Sequence, residues 1–380
     1  MINIIKYFIN KIKLLMKKNN FIFFKDNKKK VLQNKTKKLK GGTRGNMYKS
    51  NIKMLKLKNN ISFFLFLNLF FIFIINTILC QSTKNNKRNL NTQSIIYLNV
   101  TGTKSIKILG SKTSLFPDKI YLNDIEVVID NSGNINIEKS GKNNVTMIWN
   151  KPLQTCEKLF QSASTVTEID LSHFDTSKVK TMKGMFVDCT YLKYINFTNV
   201  ITSTVTDMTN MFSGCNSLTS LDLSGFDTSK VSIMESMFSD CISLTFLNLS
   251  NFKTPSLTKM KSMFFKCKLL KNLDISNIDT SKISNMETIF FQCSSLISLN
   301  ISSFNTLKVK SMESMFDGCK SLKSLDLSKI QTPALTNMMS MFSECTSLTS
   351  LNISNLSTSK VENMEQLFYS CSSLISLDLS

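Results

Sequence analysis

Eight cysteines, Cys189, Cys215, Cys241, Cys267, Cys293, Cys319, Cys345 and Cys371, stand 26 residues apart without a slip. A column of thiols admits three chemistries: disulfides between adjacent turns of a stack, metal ligation, or packing as small apolar side chains. Adjacent turns would bring Cα atoms about 5 Å apart, within disulfide reach. No histidine joins the column, which weakens a metal, and each cysteine continues an apolar stripe, so a reduced, buried ladder is the expectation. His173 is the only histidine in the chain. A catalytic dyad needs a base held beside a nucleophile, and a lone histidine in a turn is read as solvated.

Carboxylates form a second column, Asp170, Asn196, Asp222, Asn248, Asp274, Asn300, Asp326, Asn352 and Asp378, in which Asp and Asn alternate strictly. Stacked rungs about 4.8 Å apart would set like charges face to face, and alternation doubles their spacing. The same column also reads as a polar strip facing a ligand, with Tyr194 and Phe246 replacing Ser two positions earlier on two of the rungs. Asn99, Asn144, Asn196, Asn248, Asn300, Asn352 and Asn355 each begin N-x-[ST], the acceptor pattern for N-glycans in a eukaryotic secretory host.

The elements that must position these columns follow from the repeat. A fixed period between 20 and 50 residues marks a stack of like units, and Phe186, Phe212 and Phe238, Met182, Met208 and Met234, and Thr176, Thr202 and Thr228 begin columns at the same 26-residue step. In SLDLSGFDTSKVSIMESMFSDC, residues 220–241, Leu221 and Leu223 flank Asp222 at period two, which predicts a short strand with Ser220, Asp222 and Ser224 outward. Val231, Met234, Met237, Phe238 and Cys241 fall on one stripe at helical spacing, which predicts a short amphipathic helix. Thr228 takes the N-cap position, and Pro255 and Pro333, each directly after the column threonine, take the first helical position. The expected fold is therefore an α/β solenoid of 26-residue strand-turn-helix units. Nine strand cores, from Val166/Ile169/Leu171 to Leu374/Leu377/Leu379, would span roughly 40 Å.

Leu218-x-x-Leu221-x-Leu223 matches the L-x-x-L-x-L core of leucine-rich repeats. The whole unit, FDTSKV…M..MF..C.SL..LDLS, resembles the 26-residue surface-protein repeat of the BspA-like leucine-rich family over Leu153 to Ser380. That resemblance implies a leucine-rich-repeat-like stack that attaches to host or matrix proteins through its repeat surface. The sequence departs from ordinary leucine-rich repeats where Phe226, Phe252 and Phe304 occupy the expected Asn or Cys ladder, so an Asn ladder is not assumed.

Ahead of the repeats, residues 94–150 alternate in short runs, SIIYLNV, KSIKILG, DKIYLN, EVVIDNSGNINIEK and NVTMIWN, and predict a small β cap. Residues 81–93 read as a polar linker and residues 151–380 as the repeats, which stop in mid-unit at SLDLS, so a continuation past Ser380 is expected. Residues 1–60 carry 18 Lys or Arg against Asp26 alone, whereas residues 151–380 carry 20 of each sign. The net charge of +21 is therefore not a repeat-borne stripe of the kind that binds a phosphate backbone, and no nucleic-acid partner is expected.

Ile61 to Cys80 is a run of 20 uncharged residues behind the basic KMLKLKNN, long enough to cross a hydrocarbon core of about 30 Å. It reads as a signal-peptide core if translation starts at Met54 or as an uncleaved membrane anchor if it starts at Met1, with a buried helix as the competing reading. Lysine on its N-terminal side exports everything after Gln81 in either membrane reading. No paired base and nucleophile, glycine-rich phosphate loop or metal spacing is present, so neither an enzyme nor a cofactor is expected. Two functions remain: a cell-surface or secreted protein that binds an extracellular protein or glycan through its strand face, or a surface-coat or spacer component without a specific ligand.

Overall fold

The computed structural model describes residues 93–378 apart from residues 112 and 139. The chain divides into units 1–86 and 87–380, and all described residues belong to the second. The basic segment and the apolar run Ile61 to Cys80 lie outside the described residues; within them, no helix is long and apolar enough to cross a membrane.

The first six strands, β1 (Ser94–Thr101), β2 (Lys104–Lys107), β3 (Lys119–Leu122), β4 (Ile125–Val127), β5 (Asn134–Ile137) and β6 (Lys142–Trp149), build the N-terminal region. Val145, Met147 and Trp149 on β6 and Leu98 and Val100 on β1 are buried at period two, the pattern of strands with one face in a core. β1 runs antiparallel to β6 from Ser94 opposite Trp149 to Thr101 opposite Lys142. β3 and β4 are joined by Asn123 and Asp124 with φ of 48° and 69°, a two-residue turn whose positive φ angles suit the twist of a hairpin. The turn at 130–134 is closed by the Asp130 carboxylate, which accepts from the backbone N–H of Ser132 and Asn134. Gly133 is obligatory there: its φ is 85° and a Cβ would stand 2.2 Å from the Leu109 carbonyl. The runs flanking this turn pair with different partners, β4 with β3 and β5 with β2.

The cap and the repeats share one sheet. β7 (Val166–His173) pairs antiparallel with β1 and parallel with β8 (Tyr194–Asn196), giving the order β4-β3-β6-β1-β7-β8. β1 thereby covers the open edge of the first repeat strand, the feature that otherwise invites edge-to-edge association. Trp149 locks the junction, its ring edge-on to Phe174 at 5.3 Å and its Nε1–H donating to the Leu115 carbonyl.

Beyond β8 each 26-residue coil stacks on the last with no register slip. β9 (Ser220–Asp222) and β10 (Phe246–Asn248) pair in parallel, as do β11 (Ser324–Asp326), β12 (Ser350–Asn352) and β13 (Ser376–Asp378). Two of the nine expected strands do not form, at residues 272–274 and 298–300. Those rungs keep the bonds from Ile297 N–H to the Lys271 carbonyl and from Lys323 N–H to the Ile297 carbonyl, in the register of Thr245 N–H to the Thr219 carbonyl. The bond at the far end of the rung, made elsewhere from Leu223 N–H to the Asn248 carbonyl and from Leu327 N–H to the Asn352 carbonyl, has no counterpart at Ile275 or Ile301.

The expected helix is also absent: among the described residues the only helical element is a 3-10 turn at Thr113–Leu115. In the stretch read as helical, backbone N–H groups alternate in their use. Those of Met234, Ser236, Phe238 and Asp240 donate forward to the next coil, to the carbonyls of Lys259, Lys261, Met263 and Phe265, while those of Met237, Ser239 and Cys241 close turns onto the carbonyl three residues back. The turns 234–237 and 238–241 each hold a left-handed residue at their third position, Ser236 at φ 53° and Asp240 at 58°, in columns repeated from coil to coil. A left-handed L-residue costs roughly 1–2 kcal/mol, offset by a backbone bond to the neighbouring coil that an α-helix would not make.

Thr228 is not an N-cap. Its hydroxyl donates to the Lys253 carbonyl and accepts from the Lys253 N–H, both at 3.0 Å, so it fastens one coil to the next. Along the core runs a stack of nine phenylalanines, Phe160 to Phe368, with centroids 5.5–5.8 Å apart and rings 1–13° from parallel.

Candidate functional site

The alternating Asp/Asn column lies on the outward side of the short strands, and its geometry is repeated. From Asp170 to Asn352, each side-chain Oδ1 accepts from the N–H two residues on, at 2.8–3.1 Å. Asp378 lies in β13, and only its backbone is described. The serine N–H holds the carboxyls of Asp222, Asp274 and Asp326 below their ordinary value, so these residues are anions at neutral pH. Asn196 and Asn248 donate their side-chain N–H to the carboxylates of Asp170 and Asp222, each at 3.0 Å. Alternation therefore does more than space charges: on these rungs the amide bridges to the acid before it.

This bears on the seven glycan acceptors. The amide nitrogen that a glycan would occupy is already a donor at Asn196 and Asn248, at Asn99 to Glu168 and at Asn355 to the Ser328 carbonyl. Asn144 and Asn300 are exposed, and Asn352 is half-buried. Asn355 belongs to a column in which Asn199, Asn251 and Asn277 also donate to the preceding coil's backbone. An Asn ladder exists after all, one position before the Phe226 column, where the residue pattern alone did not place it.

Tyr194 and Phe246 are 60% and 55% exposed. Each borders a groove. One, of about 420 Å³, crosses the six-stranded sheet and brings Tyr194, Asp170 and Asn196 together with Tyr97, Asn99 and Glu168. The other, of about 580 Å³, lies where the strand ladder lapses and gathers Phe246, Asp274 and Asn300. Asp222, Asp326 and Asn352 line neither. Tyr97 and Glu168 had no place among the sequence candidates. Alternation in SIIYLNV puts Tyr97 on the outward face, but nothing local announces that β1 pairs with β7. Burial, then the charge of Asp170, raises the Tyr97 hydroxyl above its ordinary value.

The cysteine column is a ladder of free thiols. Each Sγ donates to the carbonyl of the phenylalanine 29 residues earlier, at 3.0–3.2 Å. Among the described residues no group of three or more His, Cys, Asp or Glu side chains is placed to hold a metal ion. His173 is exposed, with Nδ1 2.9 Å from the Ser172 hydroxyl and its ring edge-on to Tyr97.

Burial pushes the thiols of Cys241 and Cys293 from 9.0 up to about 12. Between those values the folded protein keeps protons that the unfolded chain has lost, so this contribution is whole below pH 9 and falls as pH rises toward 12. We expect Tm to drop between pH 8.5 and 10.5, by less in a Cys241→Ala/Cys293→Ala variant. Equal slopes for both proteins in melts followed by circular dichroism would contradict this.

The family described as "Mycoplasma protein of unknown function, DUF285" matches residues 154–272 and 258–378, together more than half of the 380-residue chain. The chain belongs to this family. Its two matches within this DUF285 protein overlap at 258–272, beside the first rung that fails to form a strand. No curated protein matches the chain. Among solved structures, a leucine-rich cell surface protein from Faecalibacterium prausnitzii A2-165 is 19% identical over 58% of this chain and 75% of its own, with a TM-score of 0.26. A TLR13–ssRNA13 complex is 15% identical over 46% and 40%, with a TM-score of 0.11. Neither superposes well enough to transfer a fold or a role.

Proposed function

We propose that this DUF285 protein is a non-enzymatic binding protein of the cell surface, or a secreted one, that holds an extracellular protein or glycan through the exposed strand face of its repeats. The observation that carries this reading is the outward Asp/Asn column: identical turns from Asp170 to Asn352 present rigid polar groups at a fixed spacing, with Tyr194 and Phe246 exposed among them. Repeated stacks offer long surfaces of this kind, and rigid exposed aromatics are common anchors. Export is supported by the uncharged run Ile61 to Cys80 behind a basic flank, which is also the proposed membrane contact. The balanced charge of the repeats supports a partner other than nucleic acid.

The test uses a substitution the stack already makes. Asn occupies alternate rungs with the same Oδ1 bond as Asp, so Asp222→Asn, Asp274→Asn and Asp326→Asn together should leave Tm within about 1 °C while removing three negative charges. Saturable pull-down of a partner by the full-length protein, weakened at least fivefold in the triple variant, is the expected result. Absence of saturable capture at micromolar protein would favour the alternative of a surface-coat or spacer component.

A further inference from the structure

The outward face where cap meets repeats differs from the rungs that follow. β7 presents Glu168 and Asp170 on one face, two residues apart and so roughly 7 Å from each other. Each acid has an aromatic partner on a neighbouring strand. Asp170 lies opposite Tyr97 of β1, and Glu168 lies opposite Tyr194 of β8. The two tyrosines therefore stand diagonally across the acid pair, with Cα atoms roughly 12 Å apart by strand geometry, and both rings are partly open to solvent, at 40% and 60%.

The walls of this 420 Å³ groove hold Asp124, Glu168 and Asp170 and no basic side chain. At its rim Lys142 reaches the first oxygen of Glu168 at 3.4 Å, with both side chains well exposed, a contact of the kind that water and salt readily replace. Both polar contacts to Asp170 fall on Oδ1, and among the described residues Oδ2 takes no hydrogen bond. The groove thus combines negative charge in excess with aromatic faces on both flanks, beside a repeat region whose charges balance overall. Guanidinium and ammonium groups bind carboxylates by charge-assisted hydrogen bonds and also lie over aromatic rings. Within this chain the same pairing occurs where Lys266 Nζ lies 4.9 Å from the centre of the Phe265 ring.

We propose that this groove is the specific subsite of the binding face, and that it takes an arginine or lysine side chain from an extended, basic segment of a partner protein. The inference rests on the binding function above and names where on the strand face, and by what chemistry, the partner is read. Charge complementarity selects the occupant: a neutral glycan would use the tyrosines and amides but leave the acids unanswered, whereas a basic side chain engages both.

The probe is a fluorescein-labelled hexa-arginine peptide titrated with full-length protein at 50 mM salt and followed by polarisation, with hexa-glutamate as the control for the basic N-terminal segment and cellohexaose as the neutral competitor. Asp170→Asn and Tyr194→Ala should each weaken hexa-arginine binding at least tenfold, Glu362→Gln, at an exposed acid outside the Asp/Asn column, should leave it unchanged, and 500 mM salt should abolish it. Tyr194 is exposed, so its variant keeps the test alive if Asp170→Asn melts early. Equal affinities for all three variants would overturn the groove while leaving a binding face elsewhere on the rungs. Displacement of the probe by cellohexaose would overturn the basic occupant in favour of a glycan. No saturable hexa-arginine binding to the unaltered protein would overturn the subsite outright, and partner pull-down with the triple Asp variant would then report separately on the broader reading.

Discussion

Phe238→Ala is expected to destabilise the protein by about 3–5 kcal/mol, the range for emptying a phenylalanine site in a packed core. Phe238 is fully buried, and its ring lies between those of Phe212 and Phe264 at 5.7 and 5.6 Å, within 8° of parallel. Its removal costs the buried area of one ring and two stacking contacts, each worth roughly 0.5–1.5 kcal/mol beyond burial. The coils interact chiefly with their neighbours, so a weak coil in mid-array uncouples the two sides. Phe368→Ala is the internal comparison, because Phe368 is half-buried and its stacking contact is to Phe342; its loss should be less than half as large. Guanidinium unfolding followed by circular dichroism measures both, and a loss below about 1 kcal/mol at Phe238 would show that the column is not the spine of the stack.

Thr228→Val should cost about 2–4 kcal/mol, from depriving two part-buried backbone groups of their partner. The change keeps shape and volume, so no cavity enters. What is lost is one hydroxyl that holds both the N–H and the carbonyl of Lys253. An N-cap role would predict a loss nearer 1 kcal/mol. Thr228→Ser retains the hydroxyl and should recover most of the stability; thermal unfolding of the three proteins decides between the two roles. A valine variant as stable as the serine one would mean that coil-to-coil cohesion does not depend on this column.

The two cases show what kind of information a residue pattern holds. The threonine column was legible as a column because equal spacing in a stack needs equal residues, yet its partner was misplaced, since a hydroxyl at a turn serves its own coil or the next with the same residue type. The candidate site divides in the same way. Asp170, Asn196 and Tyr194 were visible through their place in the repeat, but Tyr97 and Glu168 enter only because β1 of the cap pairs with β7, a contact between residues some 70 positions apart that no local pattern encodes.

By itself the sequence determined the 26-residue period, the inward set of Leu, Met, Phe and Cys, and the outward polar set, because burial depends on residue type and spacing. It could not determine the backbone between the strands. Successive turns closed three residues back place apolar side chains at nearly the same intervals as a helix, and the left-handed residues inside them are mostly like Ser236 and Asp240, with glycine in those two columns only at Gly184, Gly214 and Gly318, too few to announce a turn in every coil. Only the tertiary structure decided for turns, because each forward N–H gains a carbonyl in the adjacent coil, a partner that exists only once the coils are stacked.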